Sequence, residues 1–197
     1  MTYVIKQYGL EQGALEIAFI EEFVPEFPRR KTAAEIVARL DGRPHLILIA
    51  EAPLPDDPSQ VAPVAYKVSH RLFAEERDPK LADLASRLAG HVDLAGRQVL
   101  YSWIGGTRGD WRGQGFFRAL SEEQEAWAVA AGFDEIVVKT KNRFYDMRGT
   151  LDTLRYDVVK FEPHPADIGE AKVYLSKRLG ADVLDSHRSA RTVIQMG

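Results

Sequence analysis

Residues 104–120, "IGGTRGDWRGQGFFRAL", decide how the rest of the chain is read. They leave an apolar run, "VLYSWI" (99–104), pass glycines at 105, 106, 109, 113 and 115, and enter a segment where Phe116, Leu120, Trp127 and Ala131 recur at helical intervals. Glycine loses more conformational freedom on folding than any other residue, so this density implies a need for bare backbone. A helix N-terminus exposes N–H donors without intrahelical acceptors, together with the positive end of the helix dipole. Side chains that stay clear make it a phosphate site. A turn that binds nothing is the plain alternative.

Two familiar phosphate loops fail on spelling. No Gly-Lys followed by Ser or Thr occurs in the chain, which excludes a Walker A loop. A dinucleotide fingerprint needs a third glycine and a place at the first strand-to-helix turn. Here "GQGFFR" (113–118) lacks that glycine and lies halfway along the sequence.

Working outward, "EIVVKT" (135–140) follows Gly132, a helix-closing glycine, and reads as a buried strand, giving a strand–helix–strand crossover. Upstream, "YVIKQY" (3–8) reads as a strand, and Leu10, Ala14, Ile17 and Ala18 share a helical face. Thr32 and Glu35 have capping-box spacing ahead of a short helix that Gly42 closes. "HLILIAEA" (45–52) and "VAPVAYKVS" (61–69) flank a Pro/Asp-rich loop as a hairpin, in which Pro63 suits an early or edge position. Leu81, Leu84, Ala85 and Leu88 predict an amphipathic helix stopped by Gly90. Beyond the crossover come a helix in "NRFYDMRGTLDTL" (142–154), a strand "DVVKFE" (157–162), a Pro-containing turn and a last strand "AKVYLSKRL" (171–179). Residues 181–197, with Arg188 and Arg191, read as a polar tail or a partner contact.

The 197 residues suit one domain, and the formal charge of −3 argues against a nucleic-acid binder that would need a basic face. The chain has no cysteine, so a thiolate nucleophile, thiolate metal ligands and disulfides are excluded together. The histidines lack ligand spacing, so no metal is expected. Neither a secretory leader nor a membrane-spanning run is legible, and a cytoplasmic location with no membrane partner is expected.

The run Arg112-Gly113-Gln114-Gly115-Phe116-Phe117 resembles the acyl-CoA pyrophosphate loop of the GCN5-related N-acetyltransferases (GNAT), [QR]-x-x-G-x-[GA]. "TRGDWRGQG" (107–115) is similar to that family's "VxPxYRGxG", with Thr107 for Val, Gly109 for Pro and Trp111 for Tyr. "LRYDVVKFE" (154–162) resembles "LGFEVVGxx", with Arg155 and Tyr156 for Gly and Phe. The departures are Phe117 in place of a small residue and no Tyr at Gly149 or Leu151, where the family's thiolate-protonating tyrosine would fall.

The resemblance implies an α/β (α+β) fold: a central mixed, mostly antiparallel sheet of about six to seven strands flanked by helices, with 1–180 a single acyl-CoA-binding domain. It implies direct attack of a small-molecule or peptide amine on acetyl-CoA, with no covalent enzyme intermediate and no metal. The N–H groups of Gly113, Gln114, Gly115, Phe116, Phe117 and Arg118 would hold the diphosphate beside Arg112, and Gly105, Gly106 and Thr107 would pair with the pantetheine arm. A backbone N–H at Ile104 or Gly105 would face the carbonyl oxygen, and Asn142 would face the pantetheine. Base candidates are Glu51, His70 (expected in a loop after its strand), Tyr101 and Ser102. Acid candidates are Tyr145 and Tyr156, with solvent as the alternative. Arg118, Lys141 and Arg143 would serve CoA phosphates or be solvated cations. A homodimer is left open, and the competing reading is an inactive acyl-CoA-binding or regulatory module.

Overall fold

The computed structural model describes residues 3–25 and 29–180, so the expectation of a tail at 181–197 lies outside the described residues. Seven strands, β1 (Val4–Gln7), β2 (His45–Pro53), β3 (Val61–Leu72), β4 (Val99–Thr107), β5 (Glu135–Lys141), β6 (Asp157–Glu162) and β7 (Lys172–Arg178), form a sheet in the order β1-β2-β3-β4-β5-β7-β6. Five helices accompany them: α1 (Leu10–Glu21), α2 (Ala33–Leu40), α3 (Pro79–Leu88), α4 (Phe116–Ala130) and α5 (Tyr145–Thr153). Pairing is antiparallel at β1/β2, β2/β3, β5/β7 and β6/β7, and parallel at β4/β5, across the crossover that α4 makes. The sheet is mixed and mostly antiparallel, as expected. No helix among the described residues is long and apolar enough to cross a membrane.

The chain resolves into two compact units, one built from residues up to His70 with Trp103–Gln124, the other from Arg71–Ser102 with residues from Glu125 onward. In the first unit Ala14, Ile17 and Ile20 of α1 and Ile36 and Leu40 of α2 bury against Ile47, Ile49, Tyr66 and Val68 of the hairpin. Each such Ile or Leu contributes ~1.5–3 kcal/mol on full burial. Gly13 lets α1 approach closely, since a Cβ there would meet Ile47 Cγ2 at 2.8 Å. The α2 capping box forms as its spacing predicts: Thr32 N–H donates to Glu35 Oε2 (2.9 Å) and Glu35 N–H to Thr32 Oγ1 (3.2 Å).

Pro63 is the third residue of β3, one of the two placements that the sequence suggests, and β3 is an interior strand. The register between β2 and β3 slips there, so that Ala50 faces Ala65 while Glu51 faces Pro63. The bulge leaves Val64 over and accommodates a residue that cannot donate to the ladder. β3 also runs further than expected, to Leu72, because pairing with β2 continues as far as His45 opposite His70. His70 is therefore a fully buried strand residue instead of a loop histidine. β4 likewise continues past Ile104 through both glycines to Thr107.

In the second unit α3 begins at Asp78, whose carboxylate accepts from Lys80 N–H (2.8 Å) and Leu81 N–H (3.1 Å), and buries Leu81, Leu84, Ala85 and Leu88. α5 starts three residues later than the sequence suggests. The N–H groups of Asn142 and Arg143 are spent on the carbonyls of Ala171 (2.8 Å) and Gly169 (2.9 Å), which keeps both residues out of the helix. Both α4 and α5 end in a Schellman motif. For α4, Phe133 N–H reaches Ala128 O and Gly132 N–H reaches Val129 O, with Gly132 at φ 79°. For α5, Tyr156 N–H reaches Leu151 O and Arg155 N–H reaches Asp152 O, and the left-handed position is occupied by Arg155 at φ 63°.

Arg155 is exposed and sits where glycine adopts the backbone without Cβ strain. Arg155→Gly is therefore expected to stabilise the protein by about 0.5–1 kcal/mol, a little less than the strain because the freer glycine chain also loses more entropy. A urea titration reads this as a higher midpoint at unchanged slope; a lower midpoint would mean the arginine side chain contributes more than its backbone costs.

Candidate active site

The glycine-rich turn lies in the first unit and is held at both ends. Arg108 N–H donates to Val64 O (2.9 Å) and Gly109 N–H donates to Phe23 O (3.0 Å). The Arg108 guanidinium pairs with Asp110 (2.9 and 3.2 Å) and lies 4.3 Å over the Phe23 ring. Trp111 N–H closes a single 3-10 turn onto Arg108 O, and its buried ring meets Phe116 edge-on at 6.3 Å; Phe116 in turn meets Tyr3 at 4.9 Å. These aromatic contacts pin the residues on either side of Arg112–Gly115.

Between the pins, Gly113 (φ 74°) and Gly115 (φ 83°) take the left-handed backbone that L side chains avoid. Gly115 O accepts Ala119 N–H (3.0 Å), which makes Gly115 the cap of α4. The N–H groups of Phe116, Phe117 and Arg118 precede that first bond and have no carbonyl inside the helix to receive them. A Cβ built on either glycine would have no neighbour within 4 Å, so no packing demand explains them. The requirement is conformational: both positions need the left-handed backbone that leads the chain into α4. Gly105 is different: a Cβ there would stand 3.2 Å from Tyr66 O, a tight contact for which the β3 backbone would have to give by a few tenths of an ångström.

Phe117, the bulky departure at the turn, has its ring against Lys67 of β3, whose ammonium lies 4.4 Å from the ring centroid. The residue thus keeps its N–H at the helix start while its side chain is occupied with the sheet. Arg118 is paired along the helix with Glu122 (3.0 Å).

Glu51 faces Val4 of β1, and its carboxylate accepts from Lys6 Nζ (2.5 Å) and from the Tyr8 hydroxyl. Burial alone would raise its pKa, but those two donors prevail and hold the carboxyl below the ordinary value. The Tyr8 phenol is pushed up to about 12, by burial first and then by Glu51. As a base, Glu51 starts from a stabilised anion. His70 meets Trp103 edge-on at 5.8 Å. Lys31 and Arg39 also lie over the Trp103 ring, at 5.7 and 5.0 Å.

The other candidates belong to the second unit. Tyr101 and Ser102 are buried opposite Val137 and Val138 of β5. Asn142 uses both ends of its side chain, donating to Ile168 O (3.1 Å) and accepting from Arg148. Tyr145 opens α5 and is 63% exposed, so it is not core packing. Tyr156 is buried and bonded to Glu125; burial, then that carboxylate, keeps the phenol protonated well above its usual range. Leu151 is fully buried. Lys141 and Arg143 share one carboxylate, Glu170, at 2.6 Å each. Among the described residues no group of three or more His, Asp or Glu is placed to hold a metal ion.

Several polar residues escape the sequence reading. Glu21 is buried at the end of α1, where it accepts from the Tyr66 hydroxyl (2.7 Å) and from Lys31 N–H (2.5 Å). Burial and then Glu21 raise the Tyr66 pKa well above normal. Lys67 is buried within the apolar run of β3. An acid beside the Ile17/Ile20 stripe, and a lysine inside "VAYKVS", were the available signals.

No family model and no curated protein sequence matches the chain. Solved structures do. The NatC complex bound to Gag peptide and CoA aligns over 91% of this chain and 100% of its own, at 13% identity and a TM-score of 0.64. The fold is that of the GNAT acetyltransferases. Arabidopsis thaliana NAA60 in complex with acetyl-CoA (90% and 98% covered, 11% identity, TM-score 0.64) has it too. So does the ribosomal-protein-S18-alanine N-acetyltransferase of Escherichia coli (91% and 95%, 11%, 0.62).

The Lys6–Glu51–Tyr8 cluster carries a pH signature. A carboxyl lowered in the folded state stabilises above the unfolded pKa and loses that contribution as pH falls through the folded one. Glu51→Gln is therefore expected to be destabilising at pH 7, with the gap from the parent closing below the ordinary carboxyl value of 4.5. Urea titrations between pH 7 and pH 3 check this; a gap that stays constant would show that the charge of Glu51 is not what the cluster uses.

Proposed function

We propose that this chain is an acetyl-CoA-dependent N-acetyltransferase, acting on an amine of a small molecule or a peptide. The observation that carries the reading is the α4 N-terminus, where the left-handed Gly113 and Gly115 lead into amides that have no intrahelical acceptors. Similarity to acetyl-CoA- and CoA-bound acetyltransferases of this fold supports it.

In this proposal the N–H groups of Gly113 to Arg118 receive the diphosphate of CoA, with Arg112 beside them, and Gly105 to Thr107 of β4 receive the pantetheine arm through main-chain hydrogen bonds. Asn142 is assigned a supporting role at that arm. The amine nitrogen attacks the thioester carbonyl carbon directly. A backbone N–H at Ile104 or Gly105 stabilises the negative charge that grows on the oxygen, the carbon–sulfur bond breaks, and CoA leaves as thiolate. Its thiol has a pKa near ~8.5, so protonation by solvent suffices at neutral pH. Removal of the amine proton is assigned to Glu51 or His70, and Tyr145 is the proposed acid for the thiolate where solvent does not serve. With no cysteine, the chain suits a reducing compartment, and the cytoplasm is its proposed location.

Isothermal titration with acetyl-CoA and free-thiol release on a panel of arylamines, polyamines, aminoglycosides and peptide N-termini test the two halves of the proposal. Saturable binding with turnover on at least one amine is the expected result. Binding without turnover on any would favour an acyl-CoA-binding module, a reading that Leu151 and Gly149 in the place of a tyrosine acid support. Gly115→Val adds strain at φ 83°, about 1–2 kcal/mol, and puts methyl groups in the phosphate's approach. Binding is expected to weaken at least ~10-fold while the melt remains cooperative. Unchanged affinity would remove the loop from the assignment.

A further inference from the structure

A cluster of charge in the second unit stands apart from the glycine-rich turn. On α3, Arg87 donates to Asp83 (2.8 Å) and to Glu162 of β6 (2.7 Å). Glu162 also accepts from the Tyr174 hydroxyl of β7 (3.0 Å) and lies 3.4 Å from Lys160 Nζ and 4.0 Å from Lys172 Nζ. Lys160 further donates to Arg87 O (2.9 Å). One carboxylate thus serves Arg87, Lys160 and Lys172 together.

Lys139 of β5 stands opposite Tyr174 in the sheet, and its ammonium lies 5.9 Å from that ring's centroid. It is half-buried, and among the described residues no carboxylate comes within ion-pair distance of it. The groups facing it are Asp83 and Arg87 from α3, Glu162 from β6 and Lys172 from β7. Four cations, Arg87, Lys139, Lys160 and Lys172, share two acids, and Lys139 is the one left over.

We propose that Lys139 is a reactive lysine and the preferred site in this cluster for covalent acylation by acyl thioesters. The ammonium first releases a proton to solvent. The neutral nitrogen then attacks the thioester carbonyl carbon, a C–N bond forms as the C–S bond breaks, and the nitrogen's remaining extra proton goes through solvent to the departing thiolate. The products are an amide on Lys139 and a free thiol. Burial, then Lys172, and more weakly Arg87, lower the Lys139 pKa; Asp83 and Glu162 oppose this without reversing it. At a given pH the deprotonated form is thus more populated than in an ordinary lysine. Acylation also removes the one cation of the group that lacks a close acid.

The proposal is independent of acetyl transfer at the α4 turn, and its test keeps the two apart. The probe is the thioacetate of N-acetylcysteamine, which has the thioester but no diphosphate for the turn to hold. The folded full-length protein is incubated with it from pH 6.5 to 9.5, and acetylation of each lysine is followed by peptide mass spectrometry. Lys139 is expected to react at least ~3-fold faster than Lys160 and Lys172 at pH 7.5, with its rate rising at lower pH than theirs. Lys172→Gln removes the facing ammonium and is expected to slow Lys139 about twofold at pH 7.5. Labelling of Lys139 no faster than its two neighbours overturns the proposal, as does an unchanged Lys139 rate in Lys172→Gln. The side chains of Lys160 and Lys172 are 28% and 45% exposed, so accessibility alone would not give Lys139 the lead.

Discussion

An α-helix cannot satisfy its own first N–H groups, and the architecture around residue 115 turns that deficit into a set of donors. The first bond of α4 runs from Ala119 to Gly115, so the amides of Phe116, Phe117 and Arg118 need acceptors from outside the helix. The chain reaches them through two left-handed glycines, and the glycines depend on fixed ends. Val64 O and Phe23 O hold Arg108 and Gly109 on one side, and the Trp111–Phe116–Tyr3 ring contacts hold the other. Val64, which the register slip leaves without a partner in β2, is the residue whose carbonyl receives Arg108 N–H.

Elements set by local chemistry were legible in the sequence. The Thr32/Glu35 capping box, the α3 stripe, the Gly132 stop and the glycine-rich turn all depend on residues within a few positions of one another. What escaped depends on partners distant in sequence. The end of β3, and with it the burial of His70, is fixed by pairing with His45. The start of α5 is fixed by the carbonyls of Ala171 and Gly169. Arg155 shows the same limit in reverse: its sequence gives no turn signal, and the Schellman closure imposes the left-handed backbone.

The titratable candidates are more deeply engaged than a reading of residue types suggests. Glu51 is a stabilised anion between Lys6 and Tyr8, Tyr156 is locked to Glu125, and the cations that the sequence offered for CoA phosphates each hold a carboxylate: Arg118 with Glu122, and Lys141 and Arg143 with Glu170. Cations held in this way are weak mobile counter-ions. The parts of the candidate site least committed elsewhere are backbone ones. Main-chain donors need geometry, and many side chains supply it.

The most direct measurement is a backbone amide NMR titration of the full protein, with CoA in one series and pantetheine in the other. If the α4 turn holds the diphosphate, the resonances of Gly113 to Arg118 move with CoA and stay in place with pantetheine. Amides that stay in place under saturating CoA, or that move equally with both ligands, would contradict that assignment.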